Sequence, residues 1–301
     1  MTHRQAYGLL LGVALLWAGN YPLAKIGLSE LGPITMSALR ALLAAPLLVL
    51  VSRLVEGPLP PLARRDLTTV VVLAVSGFVG NSALWYVGLR GTSPANAGIL
   101  SATSPVVVAL AAATWLRERI SPLSLAGSAL TVLAVALTVA QGSVHVLLTL
   151  SVNRGDVIIL LSQSLWVGYT LYSRANRSTF SPLQVLAGAH VVAAGLLAPL
   201  ALVERPWQAF AQASRVGFSV VLYTALLGTP AHIAYYHAVR TVGPSRAAVF
   251  MNLIPFLVLG LSWLMLGEPI RWYHWVGAIG VIAGVVLTTR RARPPAPART
   301  A

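Results

Sequence analysis

Trp17, Asn20, Tyr21 and Ala24 stand at i, i+3, i+4 and i+7. On a helix these four share one face. The face offers two ring systems, one amide and one phenol within an otherwise apolar run. A second stripe has the same character: Ser162, Gln163, Trp166, Tyr169, Thr170 and Ser173. Asn81 and Trp85 follow Gly77 at near-helical spacing, and His232, Tyr235 and Tyr236 follow Gly228. Ser104 and Asn252 lie beside Pro105 and Pro255. Rings, amides and hydroxyls without fixed charge suit reversible binding of a small polar molecule, with rings able to hold an ammonium group by cation–π contact. Covalent chemistry would need a base, a carboxylate pair or a metal set, and none is arranged at such spacing. His232 and His237 form the one near-helical His pair, and no carboxylate is close to them in sequence.

The elements that carry these side chains follow from composition. The chain has 301 residues, 57% hydrophobic and only 9% charged. A soluble domain carries about 25% charged residues, so the chain is expected to be an all-α integral membrane protein. A spanning helix needs about 20 mostly apolar residues. Ten such runs can be marked, approximately 6–28, 34–55, 67–89, 95–116, 122–141, 156–173, 183–203, 216–239, 245–266 and 272–289. Gly-Pro and Ser-Pro pairs punctuate most of the joints, such as Gly32-Pro33, Ser93-Pro94, Ser181-Pro182 and Gly243-Pro244.

The net charge is +14, yet basic residues stand singly or in pairs between apolar runs. A nucleic-acid partner is therefore not expected, and the lipid bilayer is. With the N-terminus cytoplasmic, 14 Lys and Arg fall inside and 6 outside. The positive-inside rule then places both termini in the cytoplasm. Arg40 falls within a span and is expected to snorkel outward, although a substrate-facing role stays open. There are no cysteines, so thiolate sites and disulfides are excluded. No cofactor or metal is expected.

The chain repeats itself. At an offset of 150, Tyr86, Arg90, Pro94, Ala97, Pro105, Glu118 and Gly127 coincide with Tyr236, Arg240, Pro244, Ala247, Pro255, Glu268 and Gly277. At 149, Leu16-Trp17 falls on Leu165-Trp166 and Gly19 on Gly168. Five spans per half is an odd number, so the halves must be inverted with respect to each other. The expected architecture is ten transmembrane helices as two inverted five-helix repeats: 1–141, a linker over 142–155, a second repeat over 156–290, and a disordered basic, Pro-rich tail over 291–301. Secondary transporters are commonly built this way, with the site near mid-membrane between the repeats.

Trp17 and Trp166 lie about halfway along their spans, whereas interfacial Trp belongs at span ends. Packed or lipid-facing rings fit this too, but each Trp travels with amides and hydroxyls, which favours a cavity wall. The expected substrate-binding set is Trp17, Asn20, Tyr21, Asn81, Trp85, Ser104, Gln163, Trp166, Tyr169, His232, Tyr235, Tyr236 and Asn252. Asn81 and His232 fit an interhelix hydrogen bond equally well. Pro105 and Pro255 are expected to kink their spans and to act as hinges or static bends. Gly8-x-x-x-Gly12 and Gly280-x-x-x-Gly284 are expected to be close-packing faces. No Asp or Glu lies in the middle of any span, so coupling through a buried carboxylate is not expected, while His232 leaves a proton route open.

The stretches Leu16-Trp17-Ala18-Gly19-Asn20-Tyr21-Pro22, Ser93-Pro94-Ala95-Asn96-Ala97 and Leu116-Arg117-Glu118-Arg119-Ile120 carry a family resemblance. So do their second-half counterparts Gly243-Pro244-Ser245-Arg246-Ala247 and Leu266-Gly267-Glu268-Pro269-Ile270. The sequence resembles the tandem EamA repeat of the drug/metabolite transporter superfamily over nearly its whole length. Within it, the chain is most similar to bacterial ten-helix exporters of the YddG type. The resemblance implies an exporter of amino acids in the bacterial cytoplasmic (inner) membrane, aromatic and other neutral ones favoured; a monomer without enzymatic activity is expected. Cationic drugs or nucleosides are the alternative cargo. A channel or an intramembrane enzyme is the alternative of another class, the latter without a catalytic set in the sequence.

Overall fold

In the computed structural model the described residues are 1–58, 63–104, 106, 107, 110, 111, 122–143, 145, 146, 153–175, 179–242, 247 and 250–289. Among them the chain is helical, with no strand. The helices are α1 (His3–Gly27), α2 (Pro33–Glu56), α3 (Arg64–Leu73), α4 (Asn81–Gly91), α5 (Pro94–Ser101) and α6 (Pro122–Val139) in the first half. The second half holds α7 (Arg154–Ala175), α8 (Pro182–Ala201), the short α9 (Pro206–Gln212), α10 (Arg215–Tyr223), α11 (Ala231–Val242), α12 (Ile254–Leu266) and α13 (Trp272–Thr289). Six helical stretches among the described residues are long and apolar enough to cross a membrane, and Ile254–Leu266 and Trp272–Thr288 are shorter apolar helices. Pro105, the loop residues Glu118 and Arg119, half of the linker and the tail from 290 lie outside the described residues.

The joints work as their residues dictate. Ser93 and Ser181 cap α5 and α8 through the amides of Asn96 and Gln184, and each following proline takes the first helical position. The N-terminus of α2 is capped from the other half: Glu204 accepts from Ile34 N at 3.0 Å and from Thr35 N and Oγ1 at 2.8 and 2.7 Å. A carboxylate at that helix end also complements its dipole.

Two of the expected spans are not continuous α-helix. A π-helical turn, Ala74–Gly80, joins α3 to α4, and Thr224–Gly228 leads from α10 toward α11. The two turns start 150 residues apart, at equivalent points of the repeat. The fourth and ninth spans also break at equivalent points, Ala102–Thr103 and Asn252–Leu253. Pro255 is therefore not an interior kink. It sits in the first turn of α12, just after the break, where its missing N–H costs nothing.

The halves interlock, and the pairing shows the inversion. In the α2–α8 pair, Ala38 and Ala41 meet Ala193, Ala194, Leu197 and Ala201, whereas Ala44 and Leu48 meet Ala187. Residue numbers rise on one helix as they fall on the other, so α2 and its own repeat copy run antiparallel. The pair α6–α13 does the same, Gly127 facing Gly284 and Ala134 facing Gly280. A Cβ on Gly284 would lie 2.6 Å from Gly127 O and one on Gly280 2.8 Å from Ala134 Cβ, so this face packs as closely as expected. Gly8 and Gly12 do not: a Cβ on either meets nothing within 4 Å. They lie on an open face, and the spacing reading is corrected there.

Across the centre α1 packs on α11 and α4 on α7, two pairs that exchange under the repeat. Gly88 makes the second possible, because a Cβ there would lie 2.9 Å from Ile159 N and 3.0 Å from Gly155 O. These two contacts bring the polar stripes of α1 and α7 to the junction between halves.

Candidate substrate site at the repeat junction

Trp17 is held by the π-helical turn of the opposite half. Its Nε1 donates to Gly228 O at 3.1 Å. A wide helical turn frees carbonyls from the i+4 ladder, and here the indole takes one. The Trp17 ring lies 4.7 Å from the His232 ring and 5.5 Å from the Tyr235 ring. His232 Nδ1 is 2.9 Å from Thr229 O. A carbonyl only accepts, so Nδ1 carries the proton in that contact. Tyr21 meets Trp85 edge to face at 5.1 Å. Asn20 Oδ1, on the same face of α1, is buried without a hydrogen-bond partner among the described residues.

The second cluster belongs to α7. Trp166 stacks on Tyr169 at 4.9 Å, Tyr169 meets Phe78 at 5.8 Å, and Phe78 lies 4.2 Å from His190. Gln163 accepts from Ser104 Oγ at 2.6 Å and donates to Ser101 Oγ at 3.2 Å, tying α7 to the end of α5. Asn81 donates to Ser162 O at 2.8 Å, which fills the interhelix alternative for that residue. Phe78 reaches this cluster from the first π-helical turn, as Gly228 reaches the first cluster from the second, with Thr229 directly after it. Each π-helical turn therefore furnishes the opposite half's tryptophan stripe with partners.

The structure thus gathers Trp17, Asn20, Tyr21, Trp85, His232 and Tyr235 on one side and Asn81, Ser104, Gln163, Trp166 and Tyr169 on the other. Asn252 sits in the helix break before α12. The side chain of Tyr236 and the whole of Pro105 lie outside the described residues.

Arg40, His190, Phe78 and Thr229 were not in the expected set. Arg40 does not simply snorkel. Its Nε donates to Thr229 Oγ1 at 3.3 Å, and its charge acts on both His190 and His232. It stands between the two ring clusters. The repeat offset carried a usable signal, since Arg40 and His190 are 150 residues apart.

A second polar group closes the end of the bundle opposite the N-terminus. Asp156, in the first turn of α7, is 0% exposed. Thr92 donates to its Oδ1 and Asn96 Nδ2 to its Oδ2 at 3.2 Å. His274 Nε2 lies 3.2 Å from Asn96 Oδ1, and His274 Nδ1 accepts from Arg271 N at 3.0 Å. That acceptance puts the ring proton on Nε2, where it donates to Asn96. Lys25 Nζ caps the neighbouring carbonyls of Leu89, Arg90 and Thr92 at 2.8, 3.0 and 2.6 Å. The carboxylate lies at the edge of its span, where run-length reading does not look for a buried group.

Apolar helices in two inverted halves, with rings and amides meeting where the halves cross, define a membrane transporter. The chain belongs to the EamA-like transporter family, whose model matches residues 4–140 and 153–290. The uncharacterised transporter YyaM of Bacillus subtilis is 27% identical over 98% of this chain and 97% of its own. The uncharacterised inner membrane transporter YedA of Escherichia coli is 28% identical over 94% and 90%. A probable terminal-alkyne amino-acid exporter of Streptantibioticus cattleyicolor is 26% identical over 97% and 95%. A solved crystal structure aligns over 96% of this chain and 98% of its own at a TM-score of 0.62 and 17% identity, which is a likeness of fold.

Proposed function

We propose that this transporter exports amino acids, aromatic and other neutral ones favoured, across the cytoplasmic membrane by alternating access. The observation that carries the proposal is the pair of tryptophan stripes. Trp17 and Trp166 lie at mid-span in equivalent positions, and each is surrounded by rings, amides and hydroxyls at the junction of the halves. Such a surface accommodates a variable apolar side chain while offering polar contacts to the invariant part of the molecule. The probable terminal-alkyne amino-acid exporter of Streptantibioticus cattleyicolor among the relatives supports the same cargo class. Arg40 at the junction argues against a cationic drug, which it would repel.

The halves then rock about the junction, with the paired breaks at Ala102–Thr103 and Asn252–Leu253 as the places where spans bend. Among the described residues no carboxylate lies at the level of the ring clusters, which supports facilitated export or exchange over coupling through a mid-membrane acid. Counterflow in proteoliposomes tests the proposal. Vesicles loaded with unlabelled amino acids and held without ion gradients are expected to accumulate labelled phenylalanine saturably. Trp17→Ala and Trp166→Ala are expected to abolish that accumulation while eluting as folded, monodisperse protein. Absence of wild-type accumulation, with or without a proton gradient, overturns the amino-acid assignment.

A further inference from the structure

An arginine within a membrane span is expensive unless it pairs or faces a wet cavity. Arg40 is seven residues into α2 from Pro33, about 10 Å along the axis at the α-helical rise. Its guanidinium reaches Thr229, which lies near the middle of the stretch from Arg215 to Val242. The charge is therefore held at mid-membrane rather than drawn to the surface. Arg40 is only partly buried, so part of its side chain remains accessible. Among the described residues its one side-chain hydrogen bond uses Nε and goes to a neutral hydroxyl, leaving both terminal NH₂ groups. No Asp or Glu among the described residues pairs with it. Its charge acts on His190 and His232, and neither supplies negative charge.

We propose that Arg40 is the docking point for the substrate's carboxylate, the terminal NH₂ groups forming the bidentate fork that planar anions fit. The counter-ion that the described residues do not supply is brought by the cargo. Thr229 holds the guanidinium in place through Nε, and the ring clusters of Trp17 and Trp166 on either side receive the rest of the molecule. The assignment rests on the amino-acid reading for the identity of the cargo, whereas the need for a carboxylate follows from the unpaired charge itself.

The test is direct binding to the purified full-length protein, followed by intrinsic tryptophan fluorescence. The probes are phenylalanine, phenylalanine amide (which lacks the carboxylate) and phenylacetate (which lacks the amine). Wild type is expected to bind phenylalanine and phenylacetate at least about tenfold more tightly than the amide, the ratio set by one charge-assisted fork. Arg40→Gln is expected to lose about tenfold for both carboxylates and nothing for the amide, and Arg40→Lys to recover part of the loss. Thr229→Val, which keeps the charge, is expected to weaken both carboxylates by a smaller factor. Equal binding of carboxylate and amide by wild type, or unchanged carboxylate binding in Arg40→Gln, overturns the assignment. Arg40-dependent phenylacetate binding without amino-acid counterflow keeps the carboxylate site and removes the amino-acid reading.

Discussion

Trp17 shows how a single side chain couples the halves. Its ring packs on His232 and Tyr235, and its N–H satisfies a carbonyl released by the π-helical turn. Trp17→Phe keeps most of the ring and removes the donor. A hydrogen bond of this kind is worth about 1 kcal/mol net, so phenylalanine counterflow is expected to fall about fivefold rather than vanish. Trp17→Ala removes both contributions and abolishes it. Equal activity in Trp17→Phe and wild type would show that the indole N–H plays no part. Gln163 is the corresponding test on the other stripe. Gln163→Leu leaves Ser101 and Ser104 without their partner, and the melting temperature is expected to drop together with transport.

Helix pairs carry the next level of organisation. Glycines decide where backbones touch, but only where a partner is present. Gly284→Ala places a methyl against Gly127 O, and overpacking of this type costs about 1–3 kcal/mol. Gly12→Ala meets nothing within 4 Å and is expected to leave the melting temperature unchanged or slightly raised, since alanine favours helix. Size-exclusion thermal shift on the two variants checks this, and equal melting temperatures would contradict the close α6–α13 contact. The Gly-x-x-x-Gly spacing is the same in α1 and α13. What differs is whether another helix lies against it, and spacing cannot carry that information.

At the level of the whole molecule, the two halves are joined at the end opposite the N-terminus by Glu30 on Ser214, Glu204 on α2, and Asp156 with Asn96 and His274. Alternating access requires these junctions to part. The chain has no cysteine, so introduced thiols report without background. A Glu30→Cys/Ser214→Cys pair bridged by a short bifunctional thiol reagent is expected to stop counterflow, with the unbridged double variant as control. Continued counterflow in the bridged protein would place the moving parts elsewhere. The same background allows the proposed orientation to be checked: an impermeant maleimide applied to intact cells is expected to label Gln212→Cys and not Gly57→Cys.

Helical class, a membrane location and an inverted tandem repeat were legible in the residues alone. The bilayer demands long apolar runs, and an odd number of spans leaves a duplicated half no choice but inversion. The polar stripes were legible as well, because helical periodicity places Trp17 with Tyr21 and Gln163 with Trp166. Their partners were not. Which residues meet depends on antiparallel contacts between helices far apart in sequence, so Gly228, Thr229 and Phe78 entered the site only through the fold. The π-helical turns arise where backbone geometry yields to packing, a choice that local propensity does not encode. Pro255 was visible as a helix disturbance, but the preceding break turned it from a kink into a helix start. Arg40 is the clearest case: its sequence position permits snorkelling to the surface, whereas the hydroxyl of Thr229 in the opposite half holds its guanidinium near mid-span.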